Sequence, residues 1–460
     1  MRSPTRLLLI IGLAGLALTA LLFWRGQAFG DQLSLLARGW LLAARGELVP
    51  YGNPLSTGGH EPGALTSLLV GLPLFAWMDY RAPVVPIVLA HLLAWWLLDR
   101  VVREALDGRA RVLLGVLFWL SPWRLYFSGF LWNPNYLFLF GAMHLWSAWR
   151  QAERPRFWAS AVQALAIGLT FQLHASFILL AAASALLWWR GWQRLHWGGL
   201  AFGGALASLT LVPWLLSLGT HPEITAASKG FLGRGLVEVY PVIRGLAYWV
   251  RYASLAVSHK MLILDFSPSL GPRIDVWLAP AVSWTATAGA VLTLPFSAWA
   301  DWRLLRERGR GWFRSLRRPG LEAPEGRAWL GGYAVLSLAA AFLVFCLSPT
   351  TIMFWQGIPL FHAALLPLLL WAAARLDGRR APWIRRAAAA LAVASLLMGM
   401  AMAAGARQYR CEGRGHGRWP LRYDSRMFDD LGMREKCPWP VNVPGAGWPD
   451  GLPPEGPLAP

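Results

Sequence analysis

The residues of this chain that could do chemistry are few, and they fall where apolar runs end. Asp31 follows an apolar run from Leu7 to Trp24. A carboxylate there either caps the helix that comes next or takes a proton from a bound substrate. The turn GGHEPG, Gly58 to Gly63, sets His60 and Glu61 among glycines and a proline. Such a pair can position a phosphate or a sugar hydroxyl, and polar turns of this kind are also common at membrane surfaces. SGFLWNPNYLF, Ser128 to Phe138, offers Asn133 and Asn135, either as amide ligands or as an Asn-Pro turn that starts a helix. FQLHAS, Phe171 to Ser176, interrupts two apolar runs with His174. A histidine near membrane depth is costly unless it is paired, wetted or bound to an anion.

Other chemistries lack their motifs. There is no DxD pair, no P-loop and no GxGxxG on a strand, so nothing supports a nucleotide-sugar donor. The three cysteines, Cys346, Cys411 and Cys437, form no CxxC and have no zinc-like spacing. No dedicated metal motif is present, and the need for a divalent cation stays open.

These residues must be held by a membrane-embedded scaffold. Of the 460 residues, 56% are hydrophobic and 15% charged, against roughly 25% charged in a soluble domain. Apolar runs recur at 7–24, 83–99, 112–130, 135–149, 157–173, 175–189, 197–218, 277–299, 328–347, 358–375 and 385–404. They predict an all-α polytopic membrane protein with about eleven crossings of a core about 30 Å thick. The first run ends in Leu-Leu-Phe-Trp with no small-x-small site, so it reads as an uncleaved span and not as a signal peptide. The net charge of +19 could suggest nucleic acid. The arginines instead cluster in short segments between apolar runs, which is the positive-inside pattern, and nucleic acid is excluded as a partner.

Arginine placement also sets the topology. A twelfth apolar stretch, 64–78, contains Gly71 and Pro73. If it crossed, Arg100, Arg103, Arg109 and Arg111 would face outward. If it only dips into the outer interface, that cluster lies inside. Arg150 to Arg156, Arg190 and Arg194, Arg303 to Arg327 and Arg379 to Arg386 then lie inside as well. The expected layout is a transmembrane domain over 1–404 with a cytoplasmic N-terminus. Outer loops occupy 25–82 and 219–276, a cytoplasmic loop 300–327 is a basic solvated connector, and a periplasmic tail covers 405–460. Within the first loop, Leu33, Leu36, Trp40 and Leu41 recur at helical spacing, interrupted by Arg38 and Arg45, which predicts an amphipathic helix in the interface.

Taken in order, these parts resemble the GT-C superfamily of membrane glycosyltransferases, in its bacterial branch related to protein O-mannosyltransferases and aminoarabinose transferases. Asp31, the segment LLAARGELVPYG and the turn His60-Glu61-Pro62 match that family's acidic residue, interfacial helix and His-x-Pro turn, mainly over residues 1–190. The chain departs from the pattern in three places. Gln32 stands where a second acid is frequent, the 128–138 turn has no carboxylate, and TTIMFWQGIP, Thr350 to Pro359, has no cation. The resemblance implies transfer of a sugar from a polyprenyl-phosphate donor to a periplasmic acceptor of unspecified kind at a bacterial inner membrane. Asp31 would be the base. Gln32, His60, Glu61, Asn133, Asn135 and His174 would hold the substrate. Lys229, Arg234 and Arg251, set among Tyr240, Tyr248, Trp249 and Tyr252, would meet the departing phosphate, unless they are snorkelling cations of an aromatic belt. The rival readings are a flippase or transporter of lipid-linked sugars, a related polymerase or ligase, and a non-catalytic scaffold. Spans nearly free of Asp, Glu and Lys favour an interfacial enzyme over a transporter.

Two outcomes follow from this topology. Cysteines introduced near positions 55 and 82 will both react with an impermeant thiol reagent added from outside; reaction at one alone would reverse every later loop. Cys411 and Cys437, in a tail too poor in apolar residues to fold alone, will form a disulfide in an oxidising compartment. Mass spectrometry of non-reduced protein checks this, and free thiols at both positions would count against the outer tail.

Overall fold

The computed structural model describes residues 4–24, 31–55, 59–219, 239–258, 261–262, 264, 266, 270–315, 324–348, 350–405 and 425–433. Helix α1 (Pro4–Trp24) is apolar on all sides, as a helix in lipid can be. Helix α2 (Asp31–Arg45) follows, then an antiparallel pair of short strands, β1 (Tyr51–Pro54) and β2 (His60–Pro62), and helix α3 (Leu65–Ala76). At 12 residues, α3 is about 18 Å long, too short for a bilayer core of about 30 Å. Near its start Asn133 donates to Thr66 Oγ1, and past its end Trp77 packs on Phe23, at the end of α1. Helix α3 packs chiefly against α2. Close approach makes this possible, because a Cβ on Gly39 would come within 2.3 Å of Val70 Cγ1.

The remainder is helical. α4 (Val84–Ala105) precedes α5 (Gly108–Leu114), which runs through a π-helical turn at Gly115–Trp119 toward α6 (Pro122–Phe127). A 3₁₀ turn at Asn133–Tyr136 opens α7 (Leu137–Arg150), followed by α8 (Phe157–Leu173), α9 (Phe177–Trp189), α10 (Trp197–Ser208) and α11 (Val212–Ser217). Then come α12 (Val239–Tyr252), α13 (Pro272–Ser315), α14 (Gly326–Cys346), α15 (Phe361–Ala373), α16 (Ala381–Gly405) and α17 (Ser425–Asp430). Six segments, 4–24, 84–105, 197–217, 272–308, 326–346 and 381–405, are long and apolar enough to cross a membrane, and shorter apolar helices accompany them. The chain is a polytopic, all-α membrane protein.

Helices in lipid associate through close packing and internal hydrogen bonds more than through the hydrophobic effect. α10 shows the first device. Gly199, Gly203 and Ala207 recur every four residues, and a Cβ at 199 or 203 would meet the carbonyl oxygens of Phe157 and Ala161 at 2.2 and 2.0 Å. The second device is a buried polar chain. His144 Nδ1 lies 2.8 Å from Tyr333 Oη, which lies 2.9 Å from His362 Nε2, and His144 Nε2 meets Ser184 Oγ. One chain of side chains thus links α7, α9, α14 and α15.

Several expectations need correction. The connector expected at 300–327 is helical as far as Ser315. Arg303 pairs with Glu307 one turn on, and no proline interrupts the sequence between Pro295 and Pro319. The outer loop expected over 219–276 is not a surface excursion throughout. α12 buries Tyr248, Trp249 and Tyr252, Trp249 Nε1 donates to Asp301, and Ser297 Oγ donates to the Val250 carbonyl. α2 has no wet face over Gln32 to Leu41, all of which are buried, because α3, the strand pair and the tail surround it. The tail docks through α17. Met427, Phe428, Leu431 and Met433 are buried, Trp40 Nε1 donates to Asp430 Oδ2, and the Tyr80 amide donates to the Leu431 carbonyl. Cys411 and Cys437, and with them the expected disulfide, lie outside the described residues; Cys346 is a half-buried free thiol.

The α2–α3 contact gives a stability prediction. Gly39→Ala forces Val70 and its backbone away and will destabilise the protein by about 1–3 kcal/mol, the usual cost of overpacking. Gly204→Ala, which meets nothing within 4 Å, will be neutral. Thermal unfolding in detergent measures both.

Candidate active site

The first loop is assembled around a buried cation. Arg38 has no exposed surface. Its Nε donates to the Tyr51 carbonyl at 3.1 Å, and its Nη1 donates to the Ser34 carbonyl at 2.9 Å and to Asn53 Oδ1 at 3.1 Å. Hydrogen bonds offset part of the cost of burying a guanidinium, and these acceptors of Nε and Nη1 lock α2 to β1. Asn53 then hands the connection on. Its backbone amide donates to Glu61 Oε2 at 3.0 Å, and its Nδ2 reaches the Asp31 carbonyl at 3.4 Å. Asn133 Nδ2 donates to the same Glu61 oxygen. The strand pair and the Asn-Pro turn thereby meet at one carboxylate.

Beside this network opens a cavity of about 480 Å³. Asp31, Asn53, Glu61 and Asn133 line one side and His174 and Ser176 another, with Thr350 and Gln356 across from them. The remaining wall is apolar, with Phe177, Ile178, Val344, Phe345, Ile352 and Trp355 among its residues. The cavity is polar at one end and greasy at the other.

Asp31 begins α2, where a negative charge is favoured. Its Oδ2 accepts from Trp132 Nε1 at 3.2 Å. Burial raises its pKa, and the indole hydrogen bond only partly opposes that. Glu61 is fully enclosed. Burial pushes it up to about 8, despite the Asn53 amide, the Arg38 charge and Asn133, all of which favour the anion. Because Oε2 already accepts two hydrogen bonds, the proton at neutral pH belongs on Oε1. His174 accepts from the Ser176 amide at Nδ1, and burial holds it down at about 4. It is a neutral imidazole carrying its proton on Nε2.

Asp31, Glu61, Asn133 and His174 converge on the cavity, and His60 packs edge-on against Tyr51 beside it. Three other candidates sit elsewhere. Gln32 is buried within the α2 packing. Asn135 donates to the Phe130 carbonyl, and its own carbonyl meets His91 Nε2, so it shapes the turn. Arg251 donates to the carbonyls of Ala256 and Val257 and lies over the rings of Tyr248 and Trp123. Lys229 and Arg234 lie outside the described residues. Among the described lining residues there is no lysine or arginine, and no group of three acidic, histidine or cysteine side chains is placed to hold a metal.

Sequence reasoning did not anticipate Arg38, Asn53 and Gln356. Arg38 had one signal, a cation one helical turn after Ser34 inside an otherwise apolar run. The 128–138 turn, which has no carboxylate of its own, hydrogen-bonds through Asn133 to Glu61.

No family model and no curated protein matches the chain. Among solved structures, ArnT from Cupriavidus metallidurans in the apo state is similar over 88% of this chain and 77% of that one, at 12% identity and a TM-score of 0.54. The same protein bound to undecaprenyl phosphate is similar over 88% and 76%, at 12% identity and a TM-score of 0.49. The first of these likenesses shows a shared fold.

Glu61 yields a prediction on stability. A carboxyl whose folded pKa is raised from 4.5 to about 8 favours the folded state only while it is protonated. Its contribution is intact below pH 4.5 and is lost as pH rises toward 8. The wild type will therefore lose thermal stability between pH 5 and 8 relative to Glu61→Gln, whose stability will change less over that range. Parallel pH-dependent slopes would contradict the assignment.

Proposed function

We propose that this chain, whose fold is that of the GT-C transferases its first loop resembles, is a membrane glycosyltransferase that takes its sugar from a polyprenyl-phosphate donor. The carrying observation is the cavity that joins Asp31 and Glu61 at its polar end to an apolar wall. A sugar on a lipid phosphate needs both ends. ArnT, whose apo structure shares this fold, is a protein that has been solved with undecaprenyl phosphate, and the shared fold suits the same class of lipid here. The wall of Val344, Phe345, Ile352 and Trp355 suits the first isoprene units.

The two carboxylates suit two tasks. Asp31 is the group that can lose its proton, and it accepts one from the acceptor hydroxyl or amine as that atom attacks C1. The bond from C1 to the phosphate oxygen breaks with oxocarbenium character, as in glycoside hydrolysis, and its electron pair stays on the phosphate. Glu61, protonated at neutral pH and held by the Asn133 amide, donates a hydrogen bond toward the growing negative charge, with the His174 Nε2–H beside it. These neutral donors act in a site whose described lining lacks a lysine or arginine; the resemblance assigns Lys229 and Arg234 to the departing phosphate as well. The acceptor lies on the outer side of a bacterial inner membrane, with residues 1–404 as the catalytic domain and the tail from 405 on that same side. The docking of α17 on α2 and at Tyr80 supports that placement of the tail.

Transfer from a labelled polyprenyl-phosphate sugar in membranes is the assay. Asp31→Asn will lower transfer by at least about 10²-fold, the usual scale for a general base, with normal insertion. If Asp31 were only a cap, Asn would replace it at little cost, and near-normal transfer would refute the base. Wild-type transfer will fall as pH rises through about 8, where Glu61 loses its proton. Glu61→Gln, which keeps a donor but cannot titrate, will lack that alkaline limb.

A further inference from the structure

A second cavity, of about 590 Å³, lies at the other end of α15 from the carboxylate site. The 3₁₀ turn Ile358–Leu360 and the part of α15 before Pro367 separate the two by about 15 Å of helix. The wall carries six arginines, Arg303, Arg308, Arg327, Arg375, Arg379 and Arg380, and one carboxylate, Glu307. Glu307 pairs with Arg303, and its field also reaches Arg327 and Arg375, so six guanidinium groups share one carboxylate on this wall. Arg327 and Arg375 spend one nitrogen each on the carbonyls of Leu370 and Trp371, at the α15 C-terminus, where cations are favoured. Leu304, Pro367 and Leu370 make the floor apolar. Trp371, also on the wall, buries its indole N–H with no acceptor among the described residues.

A topology signal requires cations on one side of the membrane, but it does not require them to converge on one cavity. Arg303, Arg380 and Arg327 repel the Arg375 guanidinium and Glu307 alone opposes them, so a bound anion would relieve that repulsion. The apolar length of α13 beside the cavity is exposed, so acyl chains can lie against it. We propose that this cavity binds a phosphate-bearing anion through its arginines, with the lipid headgroup and the free phosphate as the two sources of that chemistry. Guanidinium forks match phosphate oxygens in pairs, and basic pockets between membrane helices are a recurrent way to hold anionic headgroups.

The test reads binding and not transfer, so its outcome is independent of the glycosyltransferase reading. The purified full chain is examined by native mass spectrometry with phosphatidylglycerol against phosphatidylcholine, and by thermal shift with inorganic phosphate. Wild type will retain phosphatidylglycerol over phosphatidylcholine. The double variant Arg375→Gln, Arg380→Gln will lose that preference by at least about tenfold, as expected for lost charge-assisted contacts. Arg100→Gln, on a separate basic stretch where Arg100 lies over Trp96, will keep it. Stabilisation of wild type, but not of the double variant, by inorganic phosphate without lipid preference would assign the site to the free anion. Equal binding of both lipids together with no phosphate effect in wild type, or unchanged binding in the double variant, would overturn the proposal.

Discussion

The enclosure of Arg38 is the constraint on which the site depends. A guanidinium with no exposed surface must find acceptors or the loop cannot fold, because an unpaired buried charge costs several kcal/mol. The acceptors it takes, the Ser34 and Tyr51 carbonyls and the Asn53 amide oxygen, belong to two separate elements. Satisfying Arg38 therefore fixes how β1 lies against α2. Asn53, held from one side by Arg38, presents its backbone amide to Glu61 on the other. Glu61 draws in Asn133 from a turn 72 residues later. The geometry of the cavity follows from this sequence of donors and acceptors.

The same arrangement underlies the proposed chemistry. The Arg38 charge favours the Glu61 anion, but burial outweighs it and leaves the carboxyl protonated near neutrality. Asp31 sits at a helix N-terminus with one indole donor and gives up its proton more readily. Two carboxyl groups in one cavity, separated in protonation by their surroundings, are how a site obtains an acid and a base at one pH. In the proposed transfer, the donors to the leaving phosphate among the described residues are the Glu61 carboxyl and the His174 imidazole, both neutral. This fits the absence of a cation from the 350–359 segment, where Gln356 lines the cavity.

Much of this was legible in the sequence, and what was legible was local. Apolar runs marked the helices, because a lipid-facing helix declares itself by composition. Arginine clusters separated 64–78 from the crossing segments, and α3 proved to be 12 residues long. Asp31, Glu61, Asn133 and His174 stood out as polar residues at the ends of apolar runs, and they converge. The hidden part was the pairing. No periodicity connects Glu61 with Asn133, or Trp40 with Asp430 across 390 residues. The burial of α2 on every side depends on the tail docking, so an amphipathic reading of its sequence left a wet face that does not exist. The helix over 300–315 was missed because glycines and arginines read as a connector when no proline is there to end the helix.

The central claim is that the cavity between Asp31 and the 344–356 wall receives a lipid phosphate. Photo-crosslinking with a polyprenyl phosphate bearing a reactive group on its first isoprene units, followed by peptide mapping of the full chain in membranes, tests this directly. The account predicts adducts on residues 174–179 and 344–356, suppressed by unlabelled polyprenyl phosphate. Adducts confined to the arginine-lined cavity at the other end of α15, or spread evenly over the lipid-facing helices, would contradict it.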